Sequence, residues 1–163
     1  MKSTYLVHVI EHWLIDRLLP YLKNARRHSA AQVDQIAASI LLFGFVNPIL
    51  VGSDGGIICG HARLLAARKI GLEEVPVIVL HHLSPSQKRA LVIADNRLAL
   101  DASWDEEMLR LELAELRDED IDLNILGFED EELADLLAAE DSDRVALLSI
   151  EDSIDSFGHY KKN

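Results

Sequence analysis

A lone glycine, Gly60, stands between the apolar run Ile57-Ile58-Cys59 and His61-Ala62-Arg63, which opens a stretch of helical period reaching about Ile70. A strand that ends at a glycine and turns at once into a helix leaves unpaired backbone N–H groups aimed at one point. The helix dipole makes that point attractive to anions. Arg63, three residues after the glycine, adds a planar fork of donors matched to phosphate or carboxylate oxygens. Such a corner either holds an anion or uses glycine for turn geometry alone, with a surface arginine behind it. Asn47-Pro48 leads into the neighbouring strand and can sit beside the corner. Asn96-Arg97 interrupts an otherwise apolar helix, and burying either side chain unpartnered costs on the order of a few kcal/mol, so both reach solvent or a ligand. The phosphate-binding candidates are therefore Gly60, His61, Arg63, Asn47, Asn96 and Arg97. Arg26 and Arg27, in the basic run Lys23-Asn24-Ala25-Arg26-Arg27-His28, are candidates for nucleic-acid contact or a solvated loop.

Other constellations carry less. His8, Glu11 and His12 lie in a strand-like segment without the order of a zinc-protease motif, and no metal site is expected. Cys59 sits among apolar neighbours and is read as packing rather than reacting. No Gly-x-Ser-x-Gly, Walker loop, Cys-x-x-Cys or amino-methyltransferase motif is present, and no catalytic residue is assigned.

The 163 residues suffice for one domain and an extension, and one cysteine fits a reducing, cytoplasmic setting. Neither a signal peptide nor a membrane span is legible. The net charge of −12 is unevenly spread. Residues 1–100 hold 11 Lys/Arg against 7 Asp/Glu, a net of +4, and residues 101–163 hold 5 against 21, a net of −16. The front half is too weakly basic to argue DNA binding by charge alone. The acidic back half is either a solvated helical face or a surface for a basic partner.

Around the corner the pattern predicts short strands between Tyr5 and Ile15, then a helix over Ser29–Phe43 with Ser29 and Gln32 as a capping box and Gly44 as a left-handed stop. Ile49–Val51 and Ile57–Cys59 read as strands joined by the Ser53–Gly56 turn. The helix from His61 is expected to bury Leu64, Leu65 and Ala67, and Val75–Leu80 reads as a further strand. Ser84 with Gln87, and Ser103 with Glu106, are capping boxes for two more helices, the second running from Trp104 to Leu116. Asp122–Leu126 is a connector, and Glu129–Ala139 a last acidic helix. The expected organisation is a domain over 1–100, an acidic helical extension over 101–139, and a linker or tail over 140–163. The ending after Lys161-Lys162 reads as that of a fragment.

Taken in order, Ile36-Ala37-Ala38-Ser39-Ile40, Gly44 to Val51, Ile58-Cys59-Gly60-His61-Ala62-Arg63-Leu64-Leu65-Ala66-Ala67 and Val75-Pro76-Val77-Ile78-Val79 resemble the ParB/sulfiredoxin-type N-terminal domain, the ParB-like nuclease domain superfamily. Lys88 to Ala99, Trp104-Asp105-Glu106-Glu107 and Leu126-Gly127-Phe128 are similar to the module preceding phage- and mobile-element-type DNA methyltransferases. The resemblance implies an α/β (α+β) fold, a small mixed sheet flanked by helices with an acidic helical extension. It implies a nucleoside triphosphate, CTP or ATP with Mg2+, held by Gly60, His61 and Arg63 and by a partly matched second box at Asp95, Asn96 and Arg97. It also implies DNA as a partner, a methylation or partition system around the module, and the option of a dimer. Nucleotide hydrolysis or nuclease action in the same pocket, and protein binding through the acidic helices, are the alternatives. Sulfiredoxins carry a cysteine directly after the glycine, where His61 stands here, so sulfinic-acid reduction is not expected. The helix-turn-helix domain of full partition proteins is not evident in the sequence.

Overall fold

The computed structural model describes residues 9–21, 28–98, 103–138 and 142. The chain divides into two compact units, Met1–Ser103 and Trp104–Asn163. Arg26, Arg27, His8 and all of the expected 140–163 tail except Ser142 lie outside the described residues.

In the first unit the elements run β1 (Ile10–Leu14), a 3-10 turn (Ile15–Arg17), α1 (Ala30–Phe43), β2 (Ile49–Val51), β3 (Ile57–Cys59), α2 (His61–Lys69), β4 (Glu74–Val79) and α3 (Pro85–Leu98). The strands form one mixed sheet in the order β1-β4-β2-β3. β4 is antiparallel to β1 and parallel to β2, while β2 and β3 make the expected antiparallel hairpin. The parallel pair is reached through β3 and α2, a crossover of the length such pairs require.

Each face of the sheet carries its own apolar layer. Trp13, Ile49, Val51, Ile57, Val75 and Val77 pack with Leu64 and Ala67 of α2. Ile58, Cys59 and Leu80 pack with Val92 of α3, supported by Leu50 and Ile78. α2 buries Ala62, Leu64, Ala66 and Ala67, whereas Leu65, expected inside, is 43% exposed. The alanines explain this: α2 contacts both α1 and β2, and small side chains let it sit close to both neighbours.

Local signals fix the helix ends. Ser29 Oγ accepts the N–H of Gln32 at 3.1 Å, capping α1. The box is only half of the expected reciprocal pair, because the Gln32 side chain turns to His28 instead. Ser84 and Gln87 do make both bonds, Gln87 N–H to Ser84 Oγ (3.3 Å) and Ser84 N–H to Gln87 Oε1 (2.9 Å). Gly44 ends α1 at φ 81°, ψ 177°, a positive-φ conformation open essentially to glycine alone, though outside the left-handed helical region expected.

In the second unit α4 spans Glu106–Asp118, a 3-10 turn spans Leu123–Leu126, and residues 130–138 are helical. Asp105, not Ser103, caps α4 by accepting the Met108 N–H at 3.1 Å. Leu113, Leu123 and Leu133 form its buried centre, flanked by Leu109, Leu116 and Phe128. No helix among the described residues is long and apolar enough to cross a membrane.

Candidate anion-binding cleft at the start of α2

Gly60 is the N-cap of α2 and lies at φ 103°, ψ 24°, a positive-φ conformation that side chains resist. It supplies no capping side chain, and the first bond along the helix is Leu64 N–H to Gly60 carbonyl at 3.0 Å. The amides of His61, Ala62 and Arg63 precede that bond and form the positive end of the helix. The corner expected from sequence is therefore built.

A cleft of about 200 Å³ opens there. His28, Gln32 and Ile36 of the α1 region wall one side, Ile58 to Arg63 form the corner, and Asp95 and Asn96 of α3 close the other. Three separate elements thus converge on the glycine.

Arg63 is held before any ligand arrives. Its Nη1 donates to the Asn47 carbonyl at 2.6 Å and the Pro48 carbonyl at 2.9 Å. Asn47 therefore contributes its main chain, fixing the arginine, while its residue is exposed. A guanidinium has five N–H donors, so Nε and Nη2 remain for a ligand or for the neighbouring Asp95 carboxylate. Burial lowers the Arg63 pKa, and the Asp95 carboxylate pulls it back towards its ordinary value.

His61 is fixed in one tautomer. The Tyr21 N–H donates to its Nε2 at 3.1 Å, so in the neutral ring the proton sits on Nδ1. Burial first, and then the nearby His28, lower its pKa, which keeps the ring neutral. His28 in turn shares a 2.9 Å bond between Nδ1 and Gln32 Oε1, with the amide oxygen accepting. The cleft thus offers backbone amides, one anchored cation and an imidazole N–H, with a single carboxylate at its edge.

Cys59 lines the same cleft but is buried, and burial and then the Asp95 carboxylate push its thiol up to about 12. It stays protonated at neutral pH and is no nucleophile. Asn96 donates from Nδ2 to the Val92 carbonyl at 2.8 Å, one turn back on α3, which accommodates the polar insertion. Arg97, on the last turn of α3, is exposed and does not line this cleft. The structure thus joins Gly60, His61, Arg63 and Asn96 around one opening, reaches Asn47 through its carbonyl, and leaves Arg97 aside. His28 and Gln32 were not singled out as site residues in the sequence. Their four-residue spacing on the entry to a helix was the available signal. Among the described residues no three His, Cys, Asp or Glu side chains cluster as a metal site.

Sheet, glycine corner and clamped arginine define a class: an α/β module with a polar cleft at a helix start. The ParB N-terminal domain model matches residues 8–97, and the chain belongs to that family. Residues 107–156 match the ParB-methyltransferase HTH domain, which corrects the expectation that no helix-turn-helix segment is present. The chain is 47% identical over 75 residues to the ParB-like nuclease domain-containing protein YnaK of Escherichia coli (strain K12), covering 46% of this chain and 86% of that one. Among solved structures it is similar to the C-terminally truncated chromosome-partitioning protein ParB from Caulobacter crescentus complexed with CTP-gamma-S. That match has a TM-score of 0.58 and 24% identity, over 68% of this chain and 64% of the ParB chain. It is also similar to sulfiredoxin from Arabidopsis thaliana, with a TM-score of 0.44 and 22% identity, over 52% of this chain and 97% of that one.

Proposed function

We propose that this ParB-like module binds a nucleotide through its phosphates at the start of α2, within a DNA methylation or partition system. The observation that carries the reading is the clamped guanidinium. Arg63 is anchored on two main-chain carbonyls beside uncapped helix amides, with donors left over. Such preorganisation lowers the ordering cost of gripping an anion. At about 200 Å³ the cleft is smaller than the ~300–1,000 Å³ of pockets that enclose a whole small molecule, so it suits a phosphate end rather than an entire nucleotide. Asp95 is the residue that would share a Mg2+ with phosphate oxygens, since that ion is commonly held by one or two carboxylates and the substrate. The ParB of similar fold is complexed with a CTP analogue, and the match over 107–156 supports a methyltransferase setting.

Titrating labelled CTP and ATP, each with and without Mg2+, and short duplex DNA against wild type and Arg63→Ala tests this. Loss of charge-assisted bonds worth about 1.5–3 kcal/mol predicts nucleotide binding weakened roughly 10- to 100-fold. Equal binding by both proteins, or none by wild type, removes the proposed role. Mg2+-dependent phosphate release or DNA nicking that disappears in Arg63→Ala would make the same cleft an enzyme's.

A further inference from the structure

Two apolar side chains stand on the outside of α4. Leu113 and Ala114 turn the helix towards the buried centre of the second unit, whereas Met108 is 64% and Leu111 48% exposed. The two are three residues apart and so are neighbours on the helix surface. Trp104, one residue ahead of the Asp105 cap, is 68% exposed. Its ring rests near Phe128, with centroids 6.0 Å apart and planes tilted by 45°, and Phe128 flanks the apolar centre. Trp and Met are among the residues enriched where proteins meet. Carboxylates surround the apolar pair. Glu107 and Glu115 each lie four residues from Leu111, and Glu112 lies four from Met108. All three are exposed, and among the described residues none makes an ion pair. Residues 103–138 hold 14 Asp/Glu against two Lys/Arg, Arg110 and Arg117, both half-buried.

We propose that this outer face of α4 docks a cationic amphipathic helix of a partner protein. The partner's apolar side would lie on Met108 and Leu111, and its lysines or arginines against the three glutamates. Charge selects the occupant. DNA and anionic lipid surfaces carry the sign of this face and are repelled by it. A second copy is disfavoured for the same reason, because it would set glutamate against glutamate. An extended polycation would satisfy the glutamates but leave Met108 and Leu111 in water. Both features are met together only by a basic segment with an apolar side. A helix suits that role, since residues three and four apart on α4 form ridges that pack into the grooves of another helix. Basic residues flanking the partner's apolar side then reach the carboxylates, as flanking charges do across a coiled coil. Trp104, at the same end of α4, offers an aromatic face to one of those cations. The unit matches a helix-turn-helix domain, but this side of α4 has the wrong sign to lie on phosphates. The docking face is independent of the α2 cleft.

Fluorescence anisotropy of a labelled peptide of about 18 leucines and lysines, patterned to form one apolar side and titrated with the full chain, tests this. The control is the same composition scrambled so that no apolar side forms. At about 0.15 M salt, where exposed charges are partly screened, the patterned peptide is expected to bind saturably. The scrambled one should bind at least about tenfold more weakly. Trp104 emission should shift to the blue as its ring leaves water, a shift absent in Trp104→Phe because Trp13 is already buried. Leu111→Asp, and Glu107→Lys combined with Glu112→Lys, should each weaken binding at least about tenfold, with circular dichroism confirming the fold. If Leu111→Asp fails to fold, Met108→Asp, at the more exposed position, decides in its place. No binding of the patterned peptide, equal binding of the scrambled one, or a Leu111→Asp protein that binds like wild type overturns the proposal. So does duplex DNA binding that Leu111→Asp abolishes, or a wild-type dimer in sedimentation velocity that Leu111→Asp splits, since either gives the face to another occupant.

Discussion

Replacing Gly60 with alanine tests the corner on which the cleft is built. An alanine there is strained twice. Its backbone would have to keep φ near 103°, which costs about 1–2 kcal/mol for a residue with a Cβ. The added Cβ would also stand 3.2 Å from Ile49 Cγ1 and 3.3 Å from Arg63 Nε. Neither neighbour yields readily. Ile49 is fully buried on β2, between β3 and β4, and Arg63 is tied to two carbonyls. Crowding of this kind adds roughly 1–2 kcal/mol. Gly71→Ala is the internal control, since Gly71 has φ 75° but nothing within 4 Å of its virtual Cβ, so it carries the backbone cost alone. Urea denaturation followed by circular dichroism should therefore show Gly60→Ala destabilised by about 2–4 kcal/mol and Gly71→Ala by about 1 kcal/mol. For a unit of this size the melting temperature of the first should fall by about 10 °C or more. In an Arg63→Ala background part of the Gly60→Ala cost should vanish, a coupling of about 0.5–1 kcal/mol. Gly60→Ala and Gly71→Ala costing the same would refute the packing argument, and no cost for either would refute the conformational one.

The neutral, buried His61 predicts a pH dependence. Its folded pKa lies below the ordinary 6.5, so its contribution to stability is present above that value and is lost as pH falls through 6.5 towards the folded one. His61→Gln, which keeps an acceptor for the Tyr21 N–H, should flatten urea midpoints measured from pH 8 to 5; an identical slope in both proteins would count against it. Cys59, held protonated, should resist iodoacetamide at pH 8 in the native state and react on unfolding, and rapid native alkylation would contradict its burial. Ser84→Ala removes one arm of the reciprocal cap of α3 and should cost about 1 kcal/mol in chemical denaturation, whereas a change near zero would show that the cap is dispensable.

What was legible in the sequence was local. Ser29 and Ser84 announce their helices because a hydroxyl acts on amides within three residues. Gly60 announces the corner because only its conformation lets a strand run straight into a helix. What escaped was set by distant chain. Leu65 looked buried by period, but α2 is wedged between α1 and β2, and that side of the helix takes alanines. Arg63 read as a free ligand-seeking arm, yet it is first a strut on Asn47 and Pro48, fifteen or so residues earlier. The side chain of Gln32 was assigned to Ser29 and went to His28, whose place beside the corner depends on how α1 packs. Residues 104–107 and 126–128 carry the likeness to methyltransferase-associated modules, but the acidity of the second unit hid its helix-turn-helix, because net charge describes a surface and not the helix arrangement beneath it.

The position of β4 has a further consequence for how this molecule comes into being. Ile10 meets Ile78 and Ile49 meets Val77, so the strand in the middle of the sheet is the last of the four to leave the ribosome. Until Glu74–Val79 emerges, β1 and the β2–β3 hairpin have no common neighbour, and Trp13 has no wall to lie against. Long-range closure of this sort is slow and all-or-none. A chain cut ahead of β4 keeps at most the β2–β3 hairpin, whereas one cut after α3 keeps every strand pairing it had.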